Sequence, residues 1–249
     1  MNEVKTQEAP AALVTGAGRR IGAAIAEHLH QAGFQVVVHY HHSREAAEKL
    51  IEKLNEKRPA SAYCIQADLA VRAQAQRLIT DTVDYCGRLD LLVNNASLFL
   101  KTAPDFVADD VLQQLFVTNV QAPLWLSQAA YTHLDKQQGA IINITDTHAE
   151  RPLRGYSVYC QTKAALAMQT QSLALEFAPR VRVNAVAPGA IIWPENENTL
   201  NDTKKKQIIE KTLLKCHGNP LYVAQAVLAL AQNPFITGQT LRVDGGRGL

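Results

Sequence analysis

Short apolar runs alternate with longer stretches of helical periodicity along the whole chain. The apolar runs are 11–16, 34–40, 63–69, 89–96, 140–146, 181–187 and 241–243, each read as a strand. The pattern between them predicts helices over 21–32, 44–57, 71–86, 156–178, 203–216 and 221–232. The stretch 107–134 carries one or two helices, interrupted near Pro123, and 191–201 is polar and irregular. In the first helix Ile21, Ala24, Ile25, Ala26, Leu29 and Ala32 form one stripe, closed by Gly33. The strands are too continuously apolar to have a wet face. Strands of this kind alternating with helices predict an α/β fold, a doubly wound parallel sheet of about seven strands with helices on both faces. Ligands of such sheets bind outside the carboxyl ends of the strands. The chemistry is therefore expected at 15–22, 40–44, 68–69, 94–99, 145–148 and 187–195.

The chain has 249 residues, 47% of them apolar. That suffices for one sizeable core, so 1–249 reads as a single domain. A net charge of +2 leaves no basic surplus for a nucleic-acid backbone. No apolar run approaches the ~18 residues of a membrane span. The first residues, MNEVKTQEAP, are polar and lack the apolar core of an export signal. Cys64, Cys86, Cys160 and Cys216 lie far apart with no C-x-x-C, and read as incidental thiols of a cytoplasmic protein. Neither nucleic acid nor membrane is an expected partner.

Thr15-Gly16-Ala17-Gly18-Arg19-Arg20-Ile21-Gly22 follows the first strand and opens the first helix. Small residues let a backbone approach a pyrophosphate, and the helix start supplies oriented N–H groups. With strand before and helix after, this predicts a Rossmann-type dinucleotide turn. The next strand ends in Tyr40-His41-His42-Ser43, where an NAD site would place an acid. None comes before Glu45, while Arg20, His41, His42, Ser43 and Arg44 are available to a 2′-phosphate, so the expected cofactor is NADP(H). A metal site at the imidazoles is not expected, because successive strand side chains point to opposite faces. Tyr159-Cys160-Gln161-Thr162-Lys163 puts a phenol and an ammonium on one helix face. The cation should lower the phenol pKa from ~10 and make Tyr159 a usable proton donor.

These residues resemble the short-chain dehydrogenase/reductase family over nearly the full length. The match includes the TG-rich turn, Asp68, Asn94-Asn95-Ala96, Asn119, Tyr159 with Lys163, Pro188-Gly189 and Val243-Asp244-Gly245-Gly246. The resemblance implies that Tyr159 protonates substrate and that Lys163 holds the nicotinamide ribose. It further implies that Asn119 supports a water relay, that Asp68 and Leu69 meet the adenine, and that Pro188, Gly189 and Ile191 back the nicotinamide. Gly16, Ile21, Gly22, Asn95, Ala96 and Ser97 complete the implied cofactor site. Asn119 also reads as a buried helix amide, and Asp68 as a strand-end cap.

Two departures narrow the resemblance. The family pattern puts glycine at 20 and serine at 146; this chain has Arg20 and Asp146. Serine suits a carbonyl becoming an alcohol. A carboxyl group whose pKa is raised by burial suits a C=N bond, whose nitrogen needs a proton. Both departures, with H-Y-H-x-S at His39–Ser43 and N-N-A-S-x-F at Asn94–Phe99, resemble the pteridine reductases. That resemblance implies a pterin ring stacked between Phe99 and the nicotinamide, with Arg20, Ser97 and Asp146 on its polar edges and Tyr156 lining the pocket. Ile192 to Glu197 and the D-G-G-R ending look closer to the bacterial dihydromonapterin reductases. His42 replaces an arginine of the protozoan pattern. The expected activity is reduction of a dihydropterin, or of dihydrofolate, beneath a loop at about 190–203, in a homotetramer. A small-ketone reductase and a catalytically silent NADP-binding protein are the alternatives.

Overall fold

The computed structural model describes residues 9–193 and 200–249. Seven strands form one parallel sheet: β1 (Ala11–Val14), β2 (Gln35–Tyr40), β3 (Ala62–Gln66), β4 (Leu91–Asn94), β5 (Ala140–Ile144), β6 (Arg182–Pro188) and β7 (Thr240–Val243). Their order is β3-β2-β1-β4-β5-β6-β7. The chain winds one way from β1 and then the other from β4. The crevice for a ligand therefore opens where β1 and β4 part.

Alternation along each strand builds two cores. Ala12 and Val14 of β1, Val36 and Val38 of β2, Leu91 and Val93 of β4, and Ile142 of β5 face one side. There they meet Ile25 and Leu29 of α1 (Arg20–Gln31), Leu50 and Leu54 of α2 (Arg44–Lys57), and Val223 and Val227 of α8 (Pro220–Gln232). Leu13, Val37, Leu92 and Ile141 face the other side. They meet Leu78 and Ile79 of α3 (Arg72–Cys86), Leu126 and Leu134 of α5 (Ala122–Gln137), and Leu173 and Phe177 of α6 (Ser157–Phe177). Each fully buried leucine is worth about 1.5–3 kcal/mol. Both faces of the strands are used, which is why they read as unbroken apolar runs.

Three elements differ from the sequence expectation. The stretch 107–134 is α4 (Asp109–Phe116) running through a π turn at Val117–Gln121 into α5, so the backbone widens rather than breaks and Pro123 sits harmlessly in the first turn of α5. The helix expected over 203–216 is α7, Asp202–Glu210, capped by Asn201 Oδ1 accepting from Lys204 N. The expected loop 190–203 falls partly on residues 194–199, which lie outside the described residues, while Asp202 and Thr203 belong to α7. Among the described residues no helix is long and apolar enough to cross a membrane. Cys64, Cys86, Cys160 and Cys216 are free thiols.

Candidate active site

The turn after β1 is held by hydrogen bonds within the chain itself. Thr15 Oγ1 accepts from Asn95 N at 2.9 Å and Ala96 N at 3.0 Å. Asn95 Nδ2 donates back to Thr15 O at 2.9 Å and Gly16 O at 3.1 Å. The end of β4 thus clamps the turn. A Cβ on Gly22 would lie 2.6 Å from both Asn95 Nδ2 and Gly16 O, and Gly16 itself has φ +61. Gly18 packs against Ser43, whose Oγ would be 2.7 Å from an added Cβ. These close approaches are what a backbone cradle for phosphate needs.

His39, inside β2, ties three segments together. Its Nδ1 accepts from Gly16 N at 3.0 Å, and its Nε2 donates to Ala67 O at 3.0 Å. Burial lowers its pKa to about 4, so the ring is neutral and its tautomer is fixed by these two partners. It ties β2 to the turn after β1 and to the end of β3. The sequence signal was the polar residue inside the apolar run QVVVHY.

At the end of β2, the rings of His41 and His42 lie tilted against each other with centroids 3.6 Å apart. The expected opposite-face arrangement fails because β2 ends at Tyr40, before both imidazoles. His41 Nε2 lies 4.0 Å from Asp68 Oδ2. Asp68 Oδ1 accepts from Ala70 N at 2.9 Å, the strand-end cap that was one of its two readings. Arg44 is held by Glu48 at 2.7 Å, and Glu45 is held by Lys49. Tyr40 and Leu69 are buried beneath this rim. Among the described residues no cluster of three His, Cys, Asp or Glu side chains could hold a metal.

The crevice itself is a cavity of about 320 Å³ lined by Arg20, Ile21, Asn95, Ser97, Phe99, Asp146, Tyr159, Lys163, Pro188, Gly189 and Ile191 among others. Asp146 follows β5 and Tyr159 opens α6. Tyr159 Oη donates to Asp146 Oδ2 at 2.7 Å, while His148 N donates to Asp146 Oδ1 at 2.7 Å. Lys163 is buried and its Nζ donates to Ile144 O at 2.9 Å. Burial first, then the Asp146 charge, pushes the Tyr159 phenol well above its ordinary range. The expected lowering by Lys163 does not win: Nζ lies 5.7 Å from the ring centroid, and the carboxylate is the nearer charge. Burial lowers Lys163 to about 8, with Asp146 working against the drop.

Two expected contacts take other forms. Asn119, in the π turn, accepts from Leu98 N at 2.8 Å and donates to Leu98 O and Thr162 Oγ1, both at 3.0 Å. Ser97 Oγ also donates to it at 3.1 Å. It is a satisfied buried amide that fixes the Ser97–Phe99 segment against α6. Tyr156 does not line the cavity. It stacks on Phe99 at 4.2 Å, behind that wall, while Phe99 meets Tyr159 edge-on at 4.7 Å. Arg20 takes φ +59, the conformation that the family pattern serves with glycine, and its Nη2 donates to Trp193 O at 3.2 Å. Thr145, Thr147, His148 and Arg247 also line the cavity and were not among the expected site residues. Thr145, Thr147 and His148 fall in the strand-end stretch 145–148 where chemistry was expected, and the signal for Arg247 was the D-G-G-R ending.

A dinucleotide turn, a rim with no acid before Glu45, and a buried Tyr-Lys pair lie along one crevice. Residues 16–247 match the family described as Enoyl-(Acyl carrier protein) reductase. The chain belongs to the short-chain dehydrogenase/reductase family. Pteridine reductase 1 of Leishmania tarentolae is 35% identical, covering 97% of each chain. The 3-oxoacyl-[acyl-carrier-protein] reductase FabG of Staphylococcus epidermidis is 36% identical over 94% of this chain and 97% of its own. A blue fluorescent protein from a metagenomic library, solved in complex with NADPH, superposes with a TM-score of 0.89 at 33% identity, covering 96% of this chain and 98% of its own. This short-chain dehydrogenase/reductase is thus an oxidoreductase that is similar both to a pterin enzyme and to ketone reducers.

Proposed function

We propose that the protein is an NADPH-dependent pteridine reductase, taking a dihydropterin or dihydrofolate to the tetrahydro form. The observation that carries this reading is the 2.7 Å contact between Tyr159 Oη and Asp146 Oδ2, where the family pattern has serine. The cofactor is NADP(H), which when bound supplies the hydride. Gly16, Gly18 and Gly22 leave room for its phosphates, Lys163 keeps donors for the ribose, and His41, His42 and Ser43 stand at the end of β2 where an NAD site would place an acid.

Reduction of a C=N bond adds hydride at carbon and a proton at the adjacent nitrogen. Tyr159, kept neutral by burial and Asp146, holds that proton at Oη. As the proton leaves, the Lys163 cation stabilises the phenolate, and Asp146 passes a replacement to it from solvent. Phe99, braced from behind by Tyr156, gives a flat heteroaromatic ring a stacking wall. Arg20, Ser97 and Asp146 supply polar groups for the ring edge. The free thiols fit a reducing cytoplasm. The exposed Met168 and Leu175 of α6 support a homotetramer.

A second reading is a carbonyl reductase, which the 36% identity to a 3-oxoacyl reductase favours. Asp146→Ser separates the two. Pterin turnover should fall about 10²- to 10⁴-fold, the usual worth of a positioned acid-base group. Small-ketone turnover should hold steady or rise. Steady-state NADPH oxidation with both substrate types reads the result; a variant that keeps full pterin activity removes the proton-relay reading.

A further inference from the structure

The cavity holds a cation that the reduction does not use. Arg247 lines it, half-buried, and its guanidinium makes no hydrogen bond or ion pair among the described residues. It does not belong to a loose tail. Asp244 Oδ1 accepts from Gly246 N at 2.9 Å, and Oδ2 accepts from Gly248 N at 2.7 Å. Gly245 O accepts from Leu213 N and Leu214 N at 2.9 and 3.2 Å. Gly246, at φ +78, fits so closely that a Cβ would lie 2.8 Å from Leu213 Cδ1.

The backbone on both sides of Arg247 is thus fixed. The one carboxylate in this turn spends both oxygens on amide N–H groups, so it does not face the guanidinium. The other arginine nearby, Arg242, is paired with Glu150. Within the cavity lining the only acid is Asp146, already engaged by Tyr159 and His148 N, while Arg20 brings a second guanidinium. An unpaired arginine on a fixed backbone, lining a half-open crevice, is suited to a planar, bidentate anion.

We propose that Arg247 takes an anionic group on the distal end of the substrate, so that the enzyme prefers pterins with a charged tail over those with a neutral polyol tail. The proposal rests on the pteridine reductase reading and adds to it the charge class of the substrate. Carboxylate and phosphate share the recognising chemistry, so both sources enter the test.

The experiment measures kcat/KM of the wild type, Arg247→Ala and Arg247→Lys with three substrates: dihydrofolate, a dihydropterin phosphate ester and neutral dihydrobiopterin. The wild type should favour one or both anionic substrates. In Arg247→Ala the ratio of anionic to neutral kcat/KM should drop roughly ten- to a hundredfold, the worth of a charge-assisted contact. Lysine should restore part of it. Whichever anion loses more identifies the tail. In the wild type, added salt should raise KM for the anionic substrate more than for the neutral one, a measurement that needs no variant. An unchanged ratio, an equal loss on all three substrates, or a loss confined to NADPH affinity would overturn the role of Arg247 and leave the pterin reading standing. A wild type that reduces none of the three takes down both.

Discussion

The Gly16 amide hydrogen ends on a neutral imidazole, and the burial of that ring sets a pH window. His39 has a pKa of about 4 in the fold against 6.5 when free. The unfolded chain therefore takes up a proton first as pH falls. Stability present above pH 6.5 drains away until about pH 4, where the folded ring protonates as well. The loss attributable to His39 amounts to about 3 kcal/mol. His39→Gln removes the titration. Its urea midpoint should fall less between pH 7 and 4.5 than that of the wild type, and equal slopes would refute the assignment. Residues differ in how plainly the sequence exposes them. Tyr159 and Lys163 sit four apart on one helix, so covalent spacing alone pairs them. Asp146 was legible through its distance from Tyr159 and its departure from serine. The part played by His39 and the place of Tyr156 were not legible, because their partners, Gly16, Ala67 and Phe99, arrive by tertiary packing, which no local pattern encodes.

At the scale of elements, the π turn at Val117–Gln121 shows why a boundary signal can be sound and its explanation wrong. The run of β-branched residues before Pro123 marks a disturbance. The fold answers it by widening the helix, which turns Asn119 toward Leu98 and Thr162. Such π segments recur at functional sites because they re-aim one side chain without breaking the helix. Thr162 Oγ1 in turn donates to Tyr159 O at 2.7 Å, so the turn holds both the Phe99 wall and the start of α6. Asn119→Ala leaves the Leu98 N–H and C=O without their partner. It should lower kcat/KM on the order of tenfold or more. NADPH affinity, measured by fluorescence titration, should change little, because the clamp on the cofactor turn runs through Thr15 and Asn95 instead.

Over the whole molecule, the parallel arrangement was legible because the central strands β1, β2, β4, β5 and β6 are buried on both faces and every crossover is helical, while the edge strands β3 and β7 are more exposed. Strand ends moved by one to three residues, mostly where a run such as LDLLVNNA continues past the last sheet hydrogen bond into the site. What the pattern could not tell is which apolar residues stay outside. Leu166 and Leu173 of α6 enter the core, whereas Leu175 is 84% exposed and Met168 60%. An uncovered face on the longest helix suits a second copy of the chain. Leu175→Glu should shift the proposed tetramer towards smaller species, read by light scattering; an unchanged mass would place the contact elsewhere. A further consequence lies in the clamp between Thr15, Asn95 and His39. The coenzyme's berth is held by the chain's own hydrogen bonds, so docking there demands little ordering. Product-inhibition kinetics should accordingly reveal a compulsory sequence, coenzyme entering first and leaving last.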